Sequence, residues 1–446
     1  MTQPIGTRVE ELVSLVREGR IDTFIERAWL LEPADLADVL SELDDDERLA
    51  LVRVLPVEIS SQALVEMAYE EHAEEIVAAL DREQAAGIVD ELEDDDAADL
   101  LGELNRDDQE RILSAVGNRR DVDRLLGYHE ETAGGLMTLQ VVTVTDHDTV
   151  GLALEAVRRQ AEDIDDVTEI FVVDTARRLA GVLTFKQLVL ANTGRQVREV
   201  MEDVVAQVFP DVDQEEVARL MARYNLPSIP VVDATNRLLG RVTYDDVVDV
   251  TEAEATEDLL RFGGVSPDEA LGGSWGDAVR SRLPWLYVNL LTAFLAAAVV
   301  YFFERSIAAI PTLAVWMPII AGMGGNTGTQ ALAVSVRRIS LGMVPVSRMW
   351  SVISKEILVG AFNGLAIGVV IGVLAVLLGE PWRFGLVVFL AMTGNLVVAG
   401  FAGSFIPVFL ERLGVDPAVA SSIFVTTFTD VCGFLLLLGL GTMVLL

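Results

Sequence analysis

Sulfur and imidazole are scarce in this chain. Its 446 residues include one cysteine, Cys432, and three histidines, His72, His129 and His147. A single cysteine excludes a disulfide framework and a thiolate metal cluster within the chain, and no redox chemistry is expected. Met1 to Leu30 is charged and helix-patterned, without the apolar core of a secretory signal. The chain also lacks a nucleophile paired with a base, a phosphate-cradling glycine loop and a catalytic metal cluster, so no enzymatic activity is expected. Nor is a nucleic-acid partner. The last third of the chain has little charge: residues 282–446 hold 6 of the 69 acids and 8 of the 33 bases.

That uncharged third consists of long, glycine-punctuated apolar runs at about 284–303, 313–336, 353–378, 385–409 and 418–446, which read as five membrane spans. Arg337, Arg338, Arg348 and Lys355 cluster between the second and third runs. The positive-inside rule then puts that loop and the amino terminus in the cytoplasm and the carboxyl terminus outside. The expected location is the cell (inner) membrane, multi-pass, with lipid as a partner. Asp430 lies near the middle of the last run. A carboxylate at bilayer depth costs roughly 2.5 to 3.5 kcal/mol even on the lenient insertion scale, so it marks an ion or proton path.

The first 281 residues are the opposite, with 63 acids against 25 bases. From about 12 to 126 the apolar residues recur at helical spacing in short segments broken by acidic turns. Related pieces return as ADLADVLSEL at Ala34, AAGIVDEL at Ala85 and AADLLGEL at Ala97, the pattern of a small all-α superhelical solenoid. Asp94, Asp95, Asp96 and Asp99 crowd one helix start, with Asp95 and Asp99 one turn apart. They either cap a helix and face water or form half of an oxygen-ligand Mg²⁺ site completed by another domain.

A second repeat follows. Phe171-Val172-Val173-Asp174 returns as Pro230-Val231-Val232-Asp233, and Gly181-Val182-Leu183-Thr184 as Gly240-Arg241-Val242-Thr243, both 59 residues later. Each copy reads as strand, helix, two strands, helix, and the pair resembles tandem CBS domains, an α/β fold that often binds adenine nucleotides. In that family a Thr-x-x-Asp after the last strand holds the ribose. Thr243 and Asp246 match it, while Gln187 replaces the aspartate in the first copy. The pair is therefore either an ATP site using Thr243 and Asp246 or a structural dimerisation module.

Thr251 to Phe262, TEAEATEDLLRF, reads as a separate amphipathic helix with a Thr251/Glu254 capping box and a stop at Gly263-Gly264. Glu254, Glu257 and Asp258 form its acidic stripe. In the second apolar run, Met317 to Gln330 reads MPIIAGMGGNTGTQ. Pro318 and the glycines weaken helix geometry, and Asn326, Thr327, Thr329 and Gln330 put polar atoms at membrane depth. Such backbone is tolerated where protein buries it or where it lines a watery cavity. Gly324 and Gly328 also make a small-xxx-small packing pair.

At this point the sequence resembles the MgtE family of Mg²⁺ channels over nearly its whole length. The resemblance rests on AGGLMT at Ala133, the CBS pair, DVVDVTEAEATED from Asp246, GGNTGTQ from Gly324, GVDPA at Gly414 and Thr429-Asp430-Val431. It implies a multidomain homodimer: an acidic helical N domain at 1–130, tandem CBS domains at 131–250, a connecting (plug) helix at 251–275 and an all-α five-helix transmembrane pore domain at 276–446. It also implies a pore lined by Pro318, Gly324, Gly325, Asn326, Thr327, Gly328 and Gln330, with Asp430 as the pore carboxylate. Cytosolic Mg²⁺, both substrate and regulator, would close the gate by binding Asp95, Asp99, Asp213, Glu215, Asp246, Asp249, Glu254, Glu257, Asp258 and Asp416. Gln62 and Asn225 stand where acids are expected. The competing class is an ion-coupled secondary transporter of Mg²⁺, Mn²⁺ or Co²⁺, in which Asp430 carries a proton.

Overall fold

The computed structural model describes residues 5–67, 72–160, 164, 167–266, 275–340, 349–413 and 422–446. Asp416, the GVDPA turn and Arg348 lie outside the described residues, as does 267–274 of the expected connecting segment. Two compact units form, Met1–Ala253 and Glu254–Leu446.

The first unit begins with ten short helices among the described residues: α1 (Ile5–Arg17), α2 (Ile21–Ala28), α3 (Pro33–Ser41), α4 (Asp45–Val52), α5 (Val57–Val65), α6 (Ala73–Ala79), α7 (Arg82–Glu91), α8 (Asp94–Gly102), α9 (Arg106–Leu113) and α10 (Arg119–Leu125). The polar turns between them start helices. Asp44 and Glu47 form a reciprocal cap on α4, Asp81 accepts from the Glu83 and Gln84 N–H groups of α7, and Asn105 caps α9. Each such cap is worth about 1 kcal/mol. The inward faces meet around Phe24, Leu36, Leu40, Leu64, Leu101 and Ile112.

Two copies of a small sheet follow. In the first, β1 (Thr143–Thr145) runs parallel to β2 (Glu169–Val173), which pairs antiparallel with β3 (Leu179–Thr184), flanked by α11 (Val150–Gln160) and α12 (Phe185–Leu190). In the second, β4 (Ser228–Val232) pairs antiparallel with β5 (Leu238–Thr243), between α13 (Gln214–Tyr224) and α14 (Tyr244–Gly263), and Val208 supplies a one-residue parallel bridge to Val231. The glycines of the 59-residue repeat have a common reason. A Cβ on Gly181 would meet the Glu202 carbonyl at 2.8 Å, and one on Gly240 the Thr138 carbonyl at 2.5 Å. Each glycine lets an extra strand residue bridge the sheet edge.

One expectation is corrected here. No helix begins at Thr251: α14 is continuous from Tyr244, and Thr251 Oγ1 donates back to the Val247 carbonyl at 2.7 Å. The helix is already started at Thr243, and nothing between it and Thr251 breaks it. Its end does follow the glycines. Gly264 has φ +74°, its N–H reaches the Arg261 carbonyl, and the Val265 N–H reaches Leu260, a Schellman closure.

The second unit contains α15 (Trp275–Phe302), α16 (Glu304–Ala309), α17 (Thr312–Ser340), α18 (Met349–Leu377), α19 (Trp382–Arg412) and α20 (Ser422–Leu445). Four of these, α15, α18, α19 and α20, are long and apolar enough to cross a membrane. The fifth expected span, α17, is a 29-residue helix that carries Asn326, Thr327, Thr329 and Gln330. On α18 every fourth residue from Gly360 to Gly372 is glycine. A Cβ at Gly364, Gly368 or Gly372 would lie 2.9–3.0 Å from α19 atoms, so the two backbones are in contact there.

Candidate functional sites in the acidic cleft and the membrane

Helices α6 and α8 and the start of α14 wall a cleft of about 320 Å³ in the first unit. Glu74, Asp96, Asp99 and Glu103 come from the helical repeat, and Asp246 and Asp249 from the second sheet copy. Leu64, Met67, Leu100 and Val250 line the apolar remainder, and no basic side chain is part of the lining. Like charges facing each other across apolar walls resist ionisation. Desolvation first and the Asp246 carboxylate second push Asp96 and Asp99 up to about 7. Desolvation, then its neighbour Glu74, pushes Glu103 up to about 8. Asp99 and Glu103 keep solvent-exposed edges. Desolvation also raises Asp246, against the opposing hydrogen bonds from Thr243, and raises Asp249.

Asp95 is set differently from Asp99. It is 6 % exposed, does not line the cleft, and holds Oδ1 without a hydrogen-bond partner. Burial, and then Asp246, raises its carboxyl well above the usual range. Glu74 Oε2 is likewise buried and unpartnered, while Oε1 meets His72 Nδ1 at 2.9 Å. Orphaned oxygens and an uncompensated cluster of acids suit an oxygen-coordinated divalent cation. Among the described residues no three such side chains are yet close enough to form a ready-made cation site.

The other expected ligands lie elsewhere. Asp213 caps α13, accepting from the Glu215 N–H at 2.9 Å, and both are exposed. Glu254, Glu257 and Asp258 are half-buried on α14, with Glu257 paired to Arg261. Gln62 is exposed on α5. Asn225 closes α13 at φ +52°, a left-handed position that asparagine tolerates better than aspartate's longer or branched relatives.

In the second unit the α17 motif divides by face. Gly324, Gly325, Thr327 and Gly328 are buried, whereas Pro318, Gly322, Asn326 and Gln330, spaced four apart, are exposed along one side. The buried side is a packing face. A Cβ on Gly324 would strike Asn395 Nδ2, and one on Gly328 would meet Val425 Cγ1 at 2.5 Å. Asn395 is fully buried and donates to the Ile320 carbonyl at 2.9 Å. On α20, Asp430 is half-buried and follows Thr429, which is fully buried and donates to the Thr426 carbonyl at 2.8 Å. No side chain among the described residues pairs with Asp430.

Comparison with known proteins converges on the same two parts. The family described as MgtE intracellular N domain matches residues 31–131, CBS domains match 133–193 and 197–252, and the family described as a divalent cation transporter matches 317–440. The chain is 34 % identical to the magnesium transporter MgtE of Thermus thermophilus, over 97 % of this chain and 98 % of that one. The chain belongs to the MgtE family. The Bacillus subtilis MgtE is 30 % identical, with 97 % and 96 % of the two chains covered. A crystal structure of the cytosolic domain of the Mg²⁺ channel MgtE in complex with ATP matches with TM-score 0.51 at 35 % identity, covering 54 % of this chain and 99 % of that one. The soluble part of a magnesium transporter matches with TM-score 0.52 at 26 % identity, covering 56 % and 100 %.

In this MgtE chain the cleft also contains acids that no local pattern singled out. Asp96 was visible in the cluster at the start of α8, but Glu74 and Glu103 stand in unremarkable helical contexts. Only folding puts them opposite Asp246. Asn395, one amide in an apolar run, likewise shows its role only through its contact with α17.

Proposed function

We propose that the protein is a homodimeric Mg²⁺-selective channel of the cell (inner) membrane, with its N-terminal unit in the cytoplasm and gated shut by cytosolic Mg²⁺. The observation that carries the reading is the cleft whose lining carboxylates, Glu74, Asp96, Asp99, Glu103, Asp246 and Asp249, face one another without a basic residue. Mg²⁺ would supply the charge that lets them ionise together. It keeps much of its water, so one or two carboxylates per ion suffice, and the rest of the shell stays hydrated. Without it, repulsion between the helical repeat and the start of α14 loosens the closed arrangement.

Several sites are needed. Moving a gate from 1:99 to 99:1 takes about 5.5 kcal/mol of differential binding, whereas one site at tenfold over its Kd gives roughly 1.4 kcal/mol. A cluster of acids spread over α6, α8 and α14 meets that demand better than one strong site. Helix α14 carries Asp246 and Asp249 near its start and Glu254, Glu257 and Asp258 beyond them, so it is the covalent route for the signal. In the membrane, Asp430 is the selectivity carboxylate, and the exposed Pro318, Asn326 and Gln330 side of α17 lines the path.

ATP is proposed as a second regulator at the CBS pair, supported by the 35 % identical relative solved with ATP. The deciding experiment is single-channel recording of the purified protein with and without cytosolic Mg²⁺. Conductance that falls as cytosolic Mg²⁺ rises is expected, and transport that needs a proton gradient would replace the channel with a coupled transporter.

A further inference from the structure

The first unit has a second cleft, in which three arginines stand alongside three carboxylates, Asp94, Asp121 and Asp233. Arg124 of α10, Arg177 in the β2–β3 turn and Arg237 in the β4–β5 turn line a cavity of about 480 Å³, together with the amides Asn118 and Gln140. That volume is within the roughly 300–1,000 Å³ that small-molecule ligands occupy. In a chain with 69 acids, none of these three arginines has a carboxylate at ion-pair distance among the described residues, and Arg237 acts on Asp174 and Asp233 only from further away. Other arginines of the unit do: Arg111 with Asp108, Arg119 with Asp123 and Arg195 with Glu199, at 2.9, 3.1 and 3.3 Å.

Two of the acids that share the lining are already engaged. Asp94 accepts from Thr138 Oγ1 at 3.4 Å and the Leu139 N–H at 3.2 Å. Asp233 accepts from the Thr235 N–H and hydroxyl at 2.7 and 2.8 Å and from the Arg237 N–H at 2.9 Å. Asp121 is the remaining carboxylate of the lining. Arg177 itself is held at φ +62°, and its carbonyl accepts from the Leu238 N–H at 3.2 Å. The position 59 residues on, Asn236, has the same φ, +63°, with a residue that tolerates it. The first copy keeps a long cationic side chain where the backbone disfavours one, which is a pattern of binding sites.

We propose that this cleft binds a small phosphate-bearing anion, held by Arg124, Arg177 and Arg237. Planar guanidinium groups match phosphate oxygens in pairs, so the three arginines offer directed donors to a phosphate in a lining that also carries Asp94, Asp121 and Asp233. Asn118 and Gln140 supply neutral donors. The site is separate from the cation cleft and shares none of Thr243, Asp246 or the membrane residues.

The test is calorimetry on the full-length protein in detergent, with pyrophosphate as the probe and free Mg²⁺ held constant by buffering. Saturable binding is expected. It should weaken at least tenfold in Arg177→Gln/Arg237→Gln and stay unchanged in Arg119→Gln, whose guanidinium is ion-paired outside the cleft. All three arginines are exposed, so thermal melting of the variants should match the parent. Absence of pyrophosphate binding by the parent, equal binding by the double variant, or equal loss in Arg119→Gln would each overturn the site. Binding that survives the double variant but is lost in Thr243→Ala would move the phosphate to the nucleotide site instead.

Discussion

Thr243 Oγ1 donates to Asp246 Oδ2 at 2.5 Å, and the Thr243 N–H reaches the same oxygen at 3.2 Å. This pair caps α14, and its counterpart in the first copy, Thr184 with Gln187, caps α12 through a full reciprocal box. One Asp246 oxygen is thus engaged in starting the helix while the carboxylate faces Asp96 and Asp99 in the cleft and acts electrostatically on Asp95 as well. Asp246→Asn keeps the cap acceptor and removes the charge. Protease protection of the first unit should then need about tenfold more Mg²⁺, the loss of roughly 1.4 kcal/mol of binding. Unchanged Mg²⁺ dependence would take Asp246 out of the sensor.

The raised carboxyls set the sign of a pH effect. Asp96, Asp99 and Glu103 titrate at about 7, 7 and 8 in the folded chain, against about 4 when unfolded. Between those limits the folded state holds more protons than the unfolded one. The cation-free protein should therefore lose stability as pH rises from about 5 to about 8. Mg²⁺ takes the place of the protons, so its addition should flatten the dependence and bind more tightly at the higher pH. Melting temperatures in chelator that hold steady or climb over this window would contradict the cleft assignment.

Replacing Glu254, Glu257 and Asp258 with alanine tests α14 as the route of the signal. The triple variant keeps the Gly264 closure and the Thr243 cap, so the helix should persist by circular dichroism. Conductance should then continue at millimolar cytosolic Mg²⁺ because the closed state has lost part of its cation hold. Normal inhibition in that variant would leave the gate to other contacts.

The sequence was legible wherever a local rule decides structure. The short helices follow from apolar spacing broken by acidic turns, the sheet repeat from its 59-residue period, and the end of α14 from Gly263-Gly264. Thr251 misled because a capping pattern inside a longer helix looks the same as one at its start, and only the earlier Thr243 cap distinguishes them. The cleft was half legible: acids crowded at the start of α8 are visible, but which acids face them depends on how α6 and α14 pack. The glycines of α17 could have been read as packing or pore, and their contacts with Asn395 and Val425 assign the buried face to packing.

Gly324→Ala should therefore act on stability. Its methyl group would occupy the space of Asn395 Nδ2, an overpacking defect of about 1–3 kcal/mol. Asn395→Ala relieves the clash but removes the amide donor to the Ile320 carbonyl, so the double variant should recover part of the loss. Additive destabilisation of the two in thermal unfolding would show that the residues do not share that space.

Asp430 gives the prediction that bears most directly on transport. It is half-buried on α20, with no side-chain partner among the described residues, at a depth where an uncharged residue would cost less. Asp430→Asn preserves the shape, so the protein should fold and assemble as the parent does. A hydrated Mg²⁺ is selected by charge acting through its water shell, and that attraction disappears with the carboxylate. Reversal potentials should then show Na⁺ permeating alongside Mg²⁺. Asp430→Glu retains charge on a longer arm that crowds a site sized for a hydrated ion, and should be partly active at best. An Asp430→Asn channel that still prefers Mg²⁺ would shift selectivity to the exposed Asn326 and Gln330 side of α17, where the paired amide variants become the next measurement.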